Sequence, residues 1–214
     1  MRKLVLPLAL VAAASFAAMQ SSNTFSFQDP KGVNTVSFKL DGALEPFVGF
    51  ANKVSGEITF DPSKPEATRG EIIVDVKSMT VGNARMADKM INSSDFLDVA
   101  KYPTINFKIV EIKNAKKGKA VKVGDVTADG FYTASVVGDF TMKGKTQRIT
   151  VPGSITYFKN GQELRGGGAK GDLAMVRAKF SFNRLDFGVD GGLPLDLISP
   201  TVEVDVAIAG GVKN

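Results

Sequence analysis

Cysteine, histidine and tryptophan are all missing from the 214 residues. Without cysteine no disulfide holds the fold, which must rest on its own core. Without histidine or cysteine, Ser-His-Asp and Cys-His catalysis and the usual zinc sites are excluded, and no Gly-x-Ser-x-Gly elbow is present. Carboxylate pairs or a Ser-Lys dyad stay formally open, but the acidic residues mostly fall on the polar faces of strands, where solvation is the default. The expectation is a container rather than an enzyme, with no cofactor and no metal.

Long apolar runs are also scarce. After Met1-Arg2-Lys3 an apolar stretch extends from Leu4 to Ala14 and passes into Ala14-Ser15-Phe16-Ala17-Ala18, the plan of a secretory signal peptide. The stretch is shorter than the roughly 20 residues that span a bilayer. Removal of residues 1–17 is expected, with Ala14 as the other cleavage point, leaving 18–214 as one domain in the periplasm or secreted. No cysteine stands there to take a lipid anchor. The charge is weakly basic, 27 Lys and Arg against 22 Asp and Glu, a net +5. The one dense basic run, Lys113 to Lys119, has no interleaved aromatics and reads as a solvated hairpin loop, so no nucleic-acid partner is expected.

What is abundant is alternation, the period of a half-buried strand. Phe38 and Leu40 share a face with Val36; Val54, Ile58 and Phe60 share one with Gly56; Ile72, Val74 and Val76 follow, then Ile105 and Phe107. Tyr132, Ala134, Val136, Gly138 and Phe140 form the next inner face, then Ile149, Val151, Ile155 and Tyr157, and later Phe180 and Phe182. Val202, Val204, Val206 and Ile208 close the chain in the same manner. Turn signals such as Asp61-Pro62, Asp129-Gly130 and Asn160-Gly161 separate these runs. The pattern predicts an all-β barrel or sandwich of about eight or nine strands. One segment differs: Asn83 can cap a short helix from Ala84 to Ile91, with Met86 and Met90 on one face, and Ser94 a further turn to Asp98. This insertion near 84–98 suits either a lid over an open barrel end or a plug in the core.

Two motifs mimic nucleotide sites. In "GDFTMKGKT" (138–146) the gap between Gly138 and Gly144 is one residue too long for a phosphate loop, and the following "TQRITVPGSITYF" alternates as a strand, so no helix N-terminus meets a phosphate. A hairpin with Lys143-Gly144 at its tip is predicted. Gly166 to Gly171 satisfies the letters of a dinucleotide fingerprint but leads into another alternating strand and reads as a surface loop. No nucleotide partner follows from either. Asn92-Ser93-Ser94 fits the glycosylation sequon and doubles as a helix-end turn.

"GEITFDPSKPEATRGEIIVDVKSMT", "ARMADKMINSSDFLDVAKYPTINFKI", "VVGDFTMKGKTQRITVP" and "FNRLDFGV", in this order and spacing, resemble the YceI-like family of exported bacterial proteins, from about Phe25 to Ala209. The resemblance implies a closed, lipocalin-like antiparallel β-barrel that holds a polyprenyl phosphate or an isoprenoid quinone, as carrier, store or sensor. Of the residues named above, Phe38, Leu40, Val54, Ile58, Phe60, Ile72, Val74, Val76, Ile105, Phe107, Tyr132, Ala134, Val136, Gly138, Phe140, Phe180 and Phe182 would then be the apolar ligand-binding wall. Arg85, Met86, Lys89 and Met90 would form the lid, with Arg85 and Lys89 near an anionic headgroup. Partners compatible with this reading are the isoprenoid lipid or quinone, a membrane touched peripherally, and a second copy in a homodimer. Many relatives carry histidines that this chain lacks, as at the position of Met142. The same apolar faces also suit a solid barrel, in which case an envelope stress or adhesion module without a ligand is the alternative.

Overall fold

The computed structural model describes residues 22–166, 168–192 and 194–213; the expected signal peptide lies outside the described residues. The alternating segments form the strands β1 (Asn23–Ser26), β2 (Thr35–Gly42), β3 (Phe47–Ala51), β4 (Val54–Phe60), β5 (Arg69–Asp75) and β6 (Met79–Val81). The helix α1 (Ala84–Asn92) follows, then β7 (Thr104–Lys117), a small hairpin of β8 (Lys122–Val123) and β9 (Val126–Thr127), β10 (Gly130–Met142), β11 (Lys145–Phe158), β12 (Leu173–Asn183) and β13 (Ile198–Val212). All pairings are antiparallel, in the order β1-β4-β5-β7-β10-β11-β12-β13, and β13 returns to β1 to close an eight-stranded barrel. β2, β3 and β6 continue β1, β4 and β5 beyond local breaks, because β2 pairs with the other half of β13, β3 with β2, and β6 with β3. Closure removes exposed strand edges and lets each strand present one apolar face to a common interior.

The break between β1 and β2 leaves β13 without a strand partner on that side around Ala209, its other side being paired with β12. Asn34 fills the gap with its side chain, accepting from Ala209 N at 2.8 Å and donating to Ala209 O at 3.1 Å and Phe27 O at 2.9 Å. The amide thus supplies the donor and acceptor that a strand residue would have offered, which explains a polar residue only 2% exposed. Asp29 holds the same excursion, accepting from the backbone amides of Lys31, Val33 and Asn34 and pairing with Arg165 at 3.1 Å.

The predicted hairpin is present. Lys143 and Gly144 both have positive φ, +49° and +72°, as a two-residue turn matched to strand twist requires. The basic run is not a loop: Lys113, Lys116 and Lys117 lie within β7 and pair with Ser135, Thr133 and Tyr132 of β10. Two register shifts along this pair, one beside Asn114 at φ +54°, hid the strand's period. The helix ends at Asn92, and the following turn starts at Ser93 rather than Ser94, with Ser93 Oγ accepting from Asp95 N at 3.3 Å. No further helical turn reaches Asp98.

Candidate functional site: an apolar cavity beneath a short helix

The barrel is not solid. Its interior holds a cavity of about 460 Å³, walled almost wholly by apolar side chains. That is about three times the roughly 150 Å³ void that stays dry and takes up an apolar guest when lined by Leu, Ile and Phe. Phe38, Leu40, Ile58, Phe60, Ile72, Val74, Ile105 and Phe107 line it, as do Tyr132, Ala134, Val136, Phe140, Phe180 and Phe182. From the helix come Met86, Lys89 and Met90.

Four residues expected in the wall or lid stand elsewhere. Val54 directly follows the break between β3 and β4 and is buried in the cluster of Ala51 and Val74, behind the cavity surface. Val76 has left β5 for a 3-10 turn, Val76–Ser78, and is buried with Leu97, Val99 and Phe187 instead. Gly138 does face inward, but the Phe107 ring lies where its Cβ would project. The glycine therefore gives room to an aromatic ring rather than to the cavity. Arg85 sits on the exposed face of α1, away from the lining.

Further wall residues carry weaker sequence signals. Ile109, Ile112 and Ala115 follow Ile105 and Phe107 on β7, but the bulges shift their spacing out of strict alternation. Val176, Val202, Val204 and Val206 had the right period and join the wall. Phe96, Leu97, Arg184, Val189 and Ile198 come from turns and strand ends, where periodicity says nothing.

The two ends of the cavity differ in chemistry. At one, Phe60 and Tyr132 meet edge to face at 5.2 Å, and Phe25 and Tyr157 pack behind them at 6.3 Å. Tyr157 donates to Asp172 Oδ2 at 2.6 Å, and the same oxygen accepts from Asn23. Burial, with Asp172 beside the hydroxyl, pushes the Tyr157 phenol above its ordinary range. At the other end β6 departs from β7 after the Val76–Ser78 turn, and α1 with Phe96 and Leu97 covers the opening. Asn83 caps α1, its Oδ1 accepting from Arg85 N at 2.9 Å and Met86 N at 3.3 Å, yet no residue of α1 is buried. Lys89 Nζ lies 5.6 Å from the Phe96 ring centre. Beneath, Phe140 contacts Phe180, Phe182 and Phe187 at 5.8, 5.1 and 5.2 Å.

Residues 18–209 match the YceI-like domain family. A UPF0312 protein of Pseudomonas putida is 32% identical over 177 residues, 82% of this chain and 79% of that protein. Among solved structures, BcnA of Burkholderia cenocepacia superposes with a TM-score of 0.60 at 22% identity, covering 82% of this chain and 95% of that one. A polyisoprenoid binding domain from Saccharophagus degradans, implicated in plant cell wall breakdown, superposes with a TM-score of 0.63 at 12% identity, covering 90% and 100%.

Proposed function

The chain belongs to the YceI-like family, and from that premise we propose that its barrel binds an isoprenoid lipid, with the prenyl chain in the cavity and the headgroup at the helix-capped end. The observation that carries this reading is the 460 Å³ apolar cavity inside a barrel closed by pairing of β13 with β1. A core meant only for stability gains from filling such a space, since each lost contact costs packing energy. An apolar chain gains about 0.8 kcal/mol for each buried CH₂, before the cost of ordering it is subtracted. The Saccharophagus degradans neighbour, described as polyisoprenoid binding, supports the same ligand class.

The segment ahead of the barrel fits an exported protein of the periplasm or cell exterior, where a carrier or store of prenyl lipid or isoprenoid quinone meets the membrane peripherally. Leu44 and Leu197 support such contact: both are exposed, and the backbone bond from Ala43 N to Leu197 O at 2.9 Å sets their loops side by side near the mouth. The test is organic extraction of the purified protein followed by mass spectrometry, with uptake of added prenyl lipid by the emptied barrel. A stoichiometric isoprenoid, or saturable uptake, is expected. Protein that yields no lipid and takes up none would overturn the reading.

A further inference from the structure

Arg184 is the one charged residue among the described residues that is both buried, at 3% exposure, and part of the cavity wall. It follows β12 at the helix-capped end, in a short 3-10 turn, Arg184–Phe187. Its guanidinium is held by carbonyls alone: Nε donates to Ser199 O at 3.2 Å, Nη1 to Val189 O at 2.7 Å and Asp190 O at 2.8 Å, and Nη2 to Ile198 O at 3.4 Å. Among the described residues no carboxylate lies within ion-pair distance of it. Asp186, the carboxylate nearest in sequence, and Asp190 are both on exposed residues, and Asp190 acts on the guanidinium only through space.

A guanidinium has five N–H donors and keeps its charge in proteins. Here four are engaged and one, on Nη2, is not. Carbonyl dipoles orient the group but do not neutralise it, and an unpaired buried cation is costly. Val189 and Ile198, whose carbonyls fix it, lie on the same wall, so the group is rigidly presented beside the cavity. Lys89 adds a second, exposed cation at this end.

Resting on the reading of the barrel as an isoprenoid binder, we propose that Arg184 anchors the headgroup, and that the preferred ligand ends in an oxyanion, a phosphate or carboxylate, rather than a neutral hydroxyl or quinone. The anion supplies the missing counter-charge and accepts the free N–H, in a charge-assisted bond of the kind that Arg makes best. The prenyl chain then runs from Arg184 towards Phe60 and Tyr132.

The experiment compares binding of a polyprenyl phosphate, the polyprenol of equal length, a prenyl quinone and a long-chain fatty acid to the emptied full-length mature protein. The phosphate or carboxylate ligands are expected to bind about tenfold or more tightly than the neutral ones. Arg184→Gln should bring that ratio close to one while leaving polyprenol affinity within a few fold, and Arg184→Lys should keep part of it. Asp190→Asn, which removes the neighbouring carboxylate and leaves the arginine's clamp intact, should raise the ratio. Should Arg184→Gln fail to fold, Asp190→Asn decides, because an unchanged ratio in that variant would overturn the anchor. Equal affinity of wild type for anionic and neutral prenyl lipids would overturn the anchor and leave the isoprenoid reading standing, as would an equal loss for all ligands in Arg184→Gln. Failure of every prenyl lipid to bind would overturn both.

Discussion

Tyr132 and Met90 line the same cavity from opposite ends, but the chain holds them in different ways. Around Tyr132 the seal is made of long strands, aromatic rings in edge contact and a phenol bonded to a carboxylate. Around Met90 it is a nine-residue helix with no buried residue, attached at its end by backbone bonds from Leu97 N to Met90 O and Val99 N to Ile91 O. A helix of that length is marginal in water, and its persistence depends on the cap and on the apolar side it turns to the cavity. Sheet closure makes the first end part of the global fold. The second end rests on a helix with no buried residue, and segments with few buried contacts open at a small fraction of the unfolding free energy. On the proposed reading, the strand-built end is the floor of the barrel and the helix-covered end is the way in.

The largest effect is expected from Phe60→Ala at the floor, where the ring is 1% exposed. A loss of about 3–5 kcal/mol in chemical denaturation is expected; a loss below about 1 kcal/mol would mean that the floor is no more essential than the lid. Next is Asn34→Ala, which strips Ala209 and Phe27 of buried hydrogen-bond partners. It should cost roughly 2–3 kcal/mol and raise amide exchange along β1 and β13, read by mass spectrometry. At the lid, Asn83→Ala removes the cap and should cost about 1 kcal/mol. Its signature is faster exchange confined to residues 84–92 and faster lipid release, with floor exchange unchanged.

Gly138→Ala tests the space between the ends. The new methyl meets the Phe107 ring, so the ring must swing into the cavity. Lipid uptake should fall with little change in the unfolding midpoint of the empty protein. The smallest effects are expected from pH, and they fall at the floor. Asp29 is raised by burial, but three backbone amides and Arg165 outweigh this and hold its carboxyl below the usual range. A depressed folded-state value contributes stability above the unfolded value, and that contribution is lost as pH falls through the folded one, below about pH 4. Tyr157 behaves in the opposite sense. With its phenol pushed up by burial, the folded state keeps a proton that the unfolded chain releases above about pH 10, so stability falls with rising pH there. Absorbance titration should show the Tyr157 phenol resisting ionisation until the barrel unfolds.

Much of this was legible in one dimension. Strand period is a local property, so Val202 to Ile208, Phe38 with Leu40, and Phe180 with Phe182 declared their inner faces without any partner in view. The cap at Asn83 and the Lys143-Gly144 turn are equally local, because each satisfies backbone groups within a few residues. Where bulges broke the period, at Ile109 to Ala115, the signal was lost, and the lysines of that segment looked like a loop. Gly138 was placed on the correct face and given the wrong task, because the ring that covers it comes from another strand.

The sequence by itself therefore determined the all-β class, the strand faces, the helix and its cap, and the absence of histidine and cysteine chemistry. The tertiary structure alone decided that the eight strands close around an apolar cavity, that Asn34 completes the seam with β13, and that Arg184 is buried beside that cavity. Closure, filling and desolvation depend on groups far apart in the chain arriving at one place. No local period encodes the volume left between them, and a cation's cost is set by what surrounds it after folding.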